Sequence, residues 1–176
     1  MKLHNYMKVF VALAIATSLG LIVTSLGVCG GSVVQADNEK VLAEGTFEVS
    51  ADFSTLTITP VGSSCVLQVE GSLEFRGTLE GSGSAQTRTL VFAPCEDVMG
   101  NPPGTFADVV TAYAGFEGTV SGSPANATVT YLGKTEEGGA IAGLMTVKGR
   151  NLTGLLDVAA QVAEGGSYDG YILNKD

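Results

Sequence analysis

From Cys65 to Gly81 the chain alternates without a slip. Cys65, Leu67, Val69, Gly71, Leu73, Phe75, Gly77, Leu79 and Gly81 hold one phase, and Gln68, Glu70, Ser72, Glu74, Arg76, Thr78 and Glu80 the other. Period two over such a length means β-strand with one face buried and one wet. At about 3.3 Å per residue a straight strand of this run would exceed roughly 50 Å, more than a small sheet can use, so the run must bend or turn on itself. Gly71 and Gly77 fall on the phase expected to be buried, where a missing side chain lets a strand coil sharply or leaves room for a neighbour.

The same grammar recurs along the chain. Leu90 and Phe92 alternate with Val91, and Val110, Ala112, Ala114, Phe116 and Val120 share the even phase between 106 and 122. Ala127, Val129 and Tyr131 follow the turn "SGSPAN", and Ile141, Met145 and Val147 follow "TEEGG". Two short segments, 44–50 and 54–59, flank "SAD", and others lie at 152–160 and 168–173. Gly, Pro, Asn and Ser cluster in the intervening turns, including "PVGSS", "PCEDVMGNPPG" and "AEGGS". One stretch, "NLTGLLDVAAQVAEGG", also admits a helical reading. Eight or more strands at roughly ten-residue spacing, with no helices alternating between them, predict an all-β antiparallel fold. Glycines inside the long strands favour a closed barrel of about eight strands, with a β-sandwich as the alternative.

The first 36 residues read differently. Lys2 and Lys8 precede an uncharged run from Val9 to Val28, and "VVQA" ends at Ala36, the pattern of a secretory signal peptide. The apolar run is long for a signal, so a retained membrane anchor is a second reading. Lipidation of Cys29, in "LGVC" followed by Gly30, is a third. Beyond this leader, residues 37–176 are expected to form one domain, secreted or extracytoplasmic, touching a membrane only if the leader stays or Cys29 is lipidated.

That domain holds seven basic against 18 acidic residues, a net charge of −11. Such a surface repels phosphate backbones and argues against nucleic-acid partners. Cys65 and Cys95 are the two cysteines left after the leader, and an even pair in an exported domain reads as one disulfide. The only histidine, His4, lies in the leader. Imidazole-based triads, Cys–His pairs and imidazole-ligated metals are thereby excluded from the domain. No nucleotide-phosphate loop is present, "EEGG" lacks the alternating oxygen ligands of a calcium loop, and neither a metal nor a cofactor is expected. "NAT" at Asn126 and "NLT" at Asn151 fit the glycosylation acceptor pattern, which matters only in a eukaryotic secretory host.

Carboxylates, tyrosines and lysines remain for acid–base work. Glu70, Glu74 and Glu80 lie on the wet phase, but Asp108 shares its phase with Val110 and Phe116 and is the candidate catalytic acid or base, with a frayed strand end as the plainer reading. Tyr131 and Tyr171 are candidates to line a cavity, and Asp157 reads as either loop or lining. A small apolar ligand inside the barrel would be bound by Leu73, Phe75, Phe116, Tyr131 and Met145.

"TFEV", "TPVG", "FEGTVSG", "GGAIAGLMTVKG", "NLTGLLDV" and "GSYDGYI", in that order, resemble bacterial proteins of domain of unknown function 3224. The resemblance covers most of the domain and implies an allene oxide cyclase-like barrel, the fold shared with dirigent proteins, which steer ring closure or coupling of a confined intermediate. It carries no catalytic residue onto this chain. Where the apparent relatives place an Arg in a late "GTGxLxGLRG", this chain has Leu156 and Asp157. The expected function is therefore non-catalytic: binding of a small apolar molecule or a cell-surface interaction. A cyclase or isomerase that confines a reactive molecule is the alternative, and any unpaired strand edge would favour homo-oligomers.

Overall fold

The computed structural model describes residues 38–162 and 164–175. The leader, with its signal, anchor and Cys29 readings, lies outside the described residues. Eight strands follow in order: β1 (Asn38–Val61), β2 (Ser64–Gly77), β3 (Leu79–Val91), β4 (Asp108–Val120), β5 (Ser123–Thr135), β6 (Ala140–Gly149), β7 (Leu152–Gln161) and β8 (Gly165–Lys175). One short helix, α1 (Cys95–Gly100), interrupts the β3–β4 connection. Each strand pairs antiparallel with the next, and β1 pairs with β8, so the sheet closes into a barrel. The sandwich alternative falls with that closure.

Alternation decides what is inside. Leu73, Phe75 and Leu79 point inward from the long amphipathic run and are buried, while Glu70, Glu74 and Glu80 are exposed. The run turns between Phe75 and Gly81, which face each other across the β2–β3 hairpin. Gly77 sits at that tip, exposed rather than buried as its phase predicts, with φ of +112°. A Cβ there would lie 2.6 Å from the Glu44 carbonyl oxygen, so both conformation and space call for glycine.

Two further readings are corrected. Residues 152–161 form strand β7, not helix: Leu152, Gly154, Leu156 and Val158 are buried and their neighbours exposed. Leu155, lying 56% exposed on the outer wall, is the residue that lends the sequence its helical look. The segments flanking "SAD" belong to the single strand β1, whose register against β2 slips between Asp52 and Thr57. There the Asp52 carboxylate accepts hydrogen bonds from the Ser54 backbone N–H and hydroxyl, turning the extra residues outward.

The lower half of the barrel, toward the β2–β3, β4–β5 and β6–β7 turns, is filled by side chains. Phe75 is central, with ring centroids 6.2 Å from Phe47, 5.7 Å from Phe116 and 6.1 Å from Tyr168. Leu79, Val147, Leu156 and Ile172 complete this core. Tyr168 spans it, and its hydroxyl accepts from the Leu79 N–H at 2.8 Å and lies 3.3 Å from the Arg76 and Leu79 carbonyls.

Candidate functional site

The upper half is built otherwise. Inward-facing Leu67, Val69, Thr87, Ala112, Tyr131 and Ile141 are only half-buried, in contrast to the fully buried side chains below them. Solvent therefore reaches the interior at this end. β1 pairs with β8 only as far as Phe47 opposite Gly166, so from Glu48 onward the edge of β1 toward β8 carries no ladder to it. Across the top runs the β3–β4 connection. It is fixed at one side by the Cys65–Cys95 disulfide and by Ala93, Val98 and Phe106, which pack with Cys65, Leu67 and Val91. At the other side the Gly104 carbonyl accepts from the Gly138 N–H at 2.9 Å, and Gly104 lies against Gly139 and Val162. The expected disulfide is present, and it holds the β3–β4 connection over this half-buried end of the barrel.

Asp108 begins β4 directly beneath this cover, opposite Val91 on β3 and Thr135 on β5. It is buried, with 9% exposure, rather than frayed into solvent. Its Oδ1 has no hydrogen-bond partner among the described residues. Burial holds its carboxyl above the usual aspartate range, an effect that the neighbouring Thr135 hydroxyl partly offsets. Tyr131, four residues before Thr135 on the same face of β5, has the other buried oxygen without a partner. Burial first, and the Asp108 charge second, push its phenol up to about 12.

Two glycines make room for that ring. Gly133 and Gly143 are cross-strand partners, and a Cβ on Gly133 would fall on the Tyr131 hydroxyl while one on Gly143 would lie 2.7 Å from Cε2. Tyr168 likewise lies over a glycine, Gly45, but every bond its hydroxyl needs is met. The contrast separates the two tyrosines: Tyr168 is a plug, whereas Tyr131 presents an unmet hydroxyl beside an unmet carboxylate. A buried polar group without a partner costs on the order of 1–3 kcal/mol, which sets Asp108 and Tyr131 apart from the rest of the described interior.

The remaining candidates divide between core and surface. Leu73, Phe75, Phe116 and Met145 are packed into the core, with Phe75 and Phe116 only 1% exposed, whereas Tyr131, directly opposite Met145 and packed against that core, is only half-buried. Tyr171 and Asp157 point outward; Tyr171 is half exposed beneath the Lys40 ammonium, which lies 3.6 Å from its ring centroid. Thr135, Gly133 and Gly143 were not singled out in the sequence. Their signal is positional only: they share the face of Tyr131 on β5 and β6 and become meaningful once register places them beside Asp108.

Outside the barrel, an open groove of about 880 Å³ crosses the outer faces of β2 to β6. It forms where the β3–β4 ladder lapses between Ser82 opposite Glu117 and Ala85 opposite Ala114. Ser72, Ser84, Asn126, Thr128, Lys148 and Arg150 line it. These are solvated groups on the wet phase, and none of the buried unpartnered atoms faces it, so the interior site has the stronger chemical case. Among the described residues no cluster of His, Cys, Asp and Glu could hold a metal ion.

No protein-family model matches the chain, and no curated protein matches it in sequence. Among solved structures it is similar to a protein of unknown function from the DUF3224 family of Shewanella oneidensis MR-1. The TM-score is 0.54 at 16% identity, over 80% of this chain and 98% of the other. At that identity the likeness speaks for the shared fold.

Replacing Asp108 tests the cost of the site. Its folded proton affinity is raised above the ordinary value, so the stability it contributes is full below that value and is lost as pH rises through the folded pKa. Asp108→Asn is expected to be more stable than the parent at neutral pH by about 1–2 kcal/mol, with the difference closing near pH ~3. Urea unfolding across that range reads the effect, and a destabilised variant at neutral pH would mean that the carboxylate is already paired.

Proposed function

We propose that the protein is an exported, non-catalytic binding barrel that takes a small, largely apolar molecule into a chamber at the upper end of the barrel. The observation that carries this reading is the pair of buried, unpartnered oxygens on Asp108 and Tyr131, set among half-buried apolar side chains beneath a tethered cover. Ligand sites are commonly apolar concavities with a few converging polar groups that fix orientation. Export is supported by the disulfide, a bond that persists in oxidising compartments, and no helix among the described residues is long and apolar enough to cross a membrane. An allene oxide cyclase-like relationship is supported by the eight-strand ring and by the DUF3224 likeness in fold. Self-association is supported by an exposed apolar band in which Leu132 pairs with Leu144, and Leu155 with Tyr171 and Tyr171 with Leu42.

Filling the chamber tests the binding reading. Ala112 is inward and half-buried, and Ala112→Phe would occupy the space beside its cross-strand partner Tyr131. Native mass spectrometry of the chain isolated from the cells that make it is expected to show a retained small molecule that the folded Ala112→Phe protein lacks. A parent chain that is always empty, or a variant that retains the same mass, would overturn the reading.

A second reading uses the same chamber for chemistry. Asp108 and Tyr131 both hold their protons more tightly than usual, which suits a pair that hands a proton to a confined molecule during cyclisation or isomerisation. Conversion of the retained compound by the parent, lost in Asp108→Asn while binding persists, would favour it over simple binding.

A further inference from the structure

We propose that the outer wall of β6, β7, β8 and β1 is a two-fold interface between copies of this chain, with Leu155, Tyr171 and Leu42 along the axis. This rests on the self-association reading above, gives it a geometry and leaves the interior out. Strand register sorts the exposed side chains of this wall into three rows. Lys148, Thr153, Leu173 and Lys40 form the first. Thr146, Leu155, Tyr171 and Leu42 form the second, and Leu144, Asp157, Asp169 and Glu44 the third. Every charge in the first row is positive, and every charge in the third is negative. Between them Leu155, Tyr171 and Leu42 are each half exposed or more, an apolar run of a kind that marks interaction surfaces.

This order of charges commits the wall to a second copy. When two such walls face each other, a two-fold axis along the middle row lays that row on its own equivalent and the first row of each copy on the third of the other. Lys40 then meets Glu44 of the second copy, twice over, and Lys148 falls beside the second copy's Asp157. An axis along the strands would instead set the acidic row against itself, which like-charge repulsion disfavours. Lys40 and Glu44 cannot satisfy each other within one chain, because four residues of strand part them by about 13 Å. No ion pair among the described residues takes up Lys40, Lys148, Glu44, Asp157 or Asp169. The Lys40 ammonium is already held against the band by the Tyr171 ring.

Sedimentation velocity of the chain isolated from the cells that make it is expected to show a monomer–dimer equilibrium over a rising concentration series. Leu155→Glu is expected to weaken the dimer about 100-fold or more, and Lys40→Glu or Glu44→Lys about tenfold each. The double exchange, Lys40→Glu with Glu44→Lys, is expected to return the dimer to within about fivefold of the parent. All three positions are exposed, and circular dichroism checks that each variant folds. A monomer at every concentration would overturn this interface and the self-association reading together. A dimer that Leu155→Glu or the single charge reversals leave unchanged would overturn this geometry alone. So would a double exchange that fails to recover what the single reversals lose, or an open ladder of higher oligomers in place of a dimer.

Discussion

Phe75→Ala is expected to cost about 3–5 kcal/mol, the largest loss from any single side chain in this barrel. Phe75 is 1% exposed and lies at the meeting point of three aromatic rings, one tilted and two edge-on, contributed by β1, β4 and β8. Truncation removes buried apolar area and three ring–ring contacts. It also leaves a void that a closed ring of paired strands resists filling by inward collapse. Urea unfolding should show a lower midpoint with an unchanged slope, and the thermal midpoint should fall by roughly 10–20 °C. Phe75→Leu should recover more than half of the loss. A cost below about 1 kcal/mol would mean that the lower half of the barrel is not close-packed.

Removing the disulfide is the second large effect, and it acts at the opposite end. Cys65 and Cys95 are 30 residues apart in sequence, and a loop of that size closed in the unfolded chain corresponds to about 3–4 kcal/mol in the chain-entropy account. The Cys65→Ala, Cys95→Ala double variant is expected to lose that much in denaturant unfolding. Its signature differs from that of Phe75→Ala. The bond holds α1 and the connection above the chamber to β2, so hydrogen exchange should rise first in residues 92–107, notably at Phe92, whose N–H is bonded to the Ala107 carbonyl. Protection in β7 and β8, on the far wall, should change only by the global loss. A double variant equal to the parent in stability would mean that the Ala93, Val98 and Phe106 packing alone holds the cover.

Much of this architecture is legible in the chain because period two is local. The inward phase of β2 and that of β4 can both be read residue by residue, since a side chain's face is set by its parity along one strand; parity put Asp108 on the inward phase but left a frayed strand end as the plainer reading, because local alternation does not say what covers a strand's first residue. The single disulfide is legible because, once Cys29 is set apart with the leader, Cys65 and Cys95 are the cysteines that remain. Parity fails where the backbone leaves the strand. Gly77 is at a turn and not inside a strand, and the "SAD" segments are one strand with a slipped register, because a bulge or a tight corner is fixed by cross-strand contacts that no local pattern records. The helical reading of 151–166 fails for a related reason: Leu155 is an apolar residue left on the outer wall, and only the closure of β7 between β6 and β8 gives it a face.

The sequence by itself determined an all-β domain with a single cystine, an acidic exterior and no histidine for chemistry, since these follow from composition and from the parity of single strands. It also named Asp108 and Tyr131, yet it could not bring them together or separate Tyr131 from the four apolar residues named with it. Depth along the barrel axis decided that. Leu73, Phe75 and Phe116 share the inward face with Tyr131 but lie in the packed lower half, and Met145 opposite it is fully buried, whereas the Tyr131 ring reaches over Gly133 toward the level of Asp108 and Thr135. Depth depends on the register of every pair of strands around the ring, a long-range property set by hydrogen bonding between segments distant in sequence. The two unmet oxygens exist only at that level of structure, because a polar atom lacks a partner by virtue of everything packed around it.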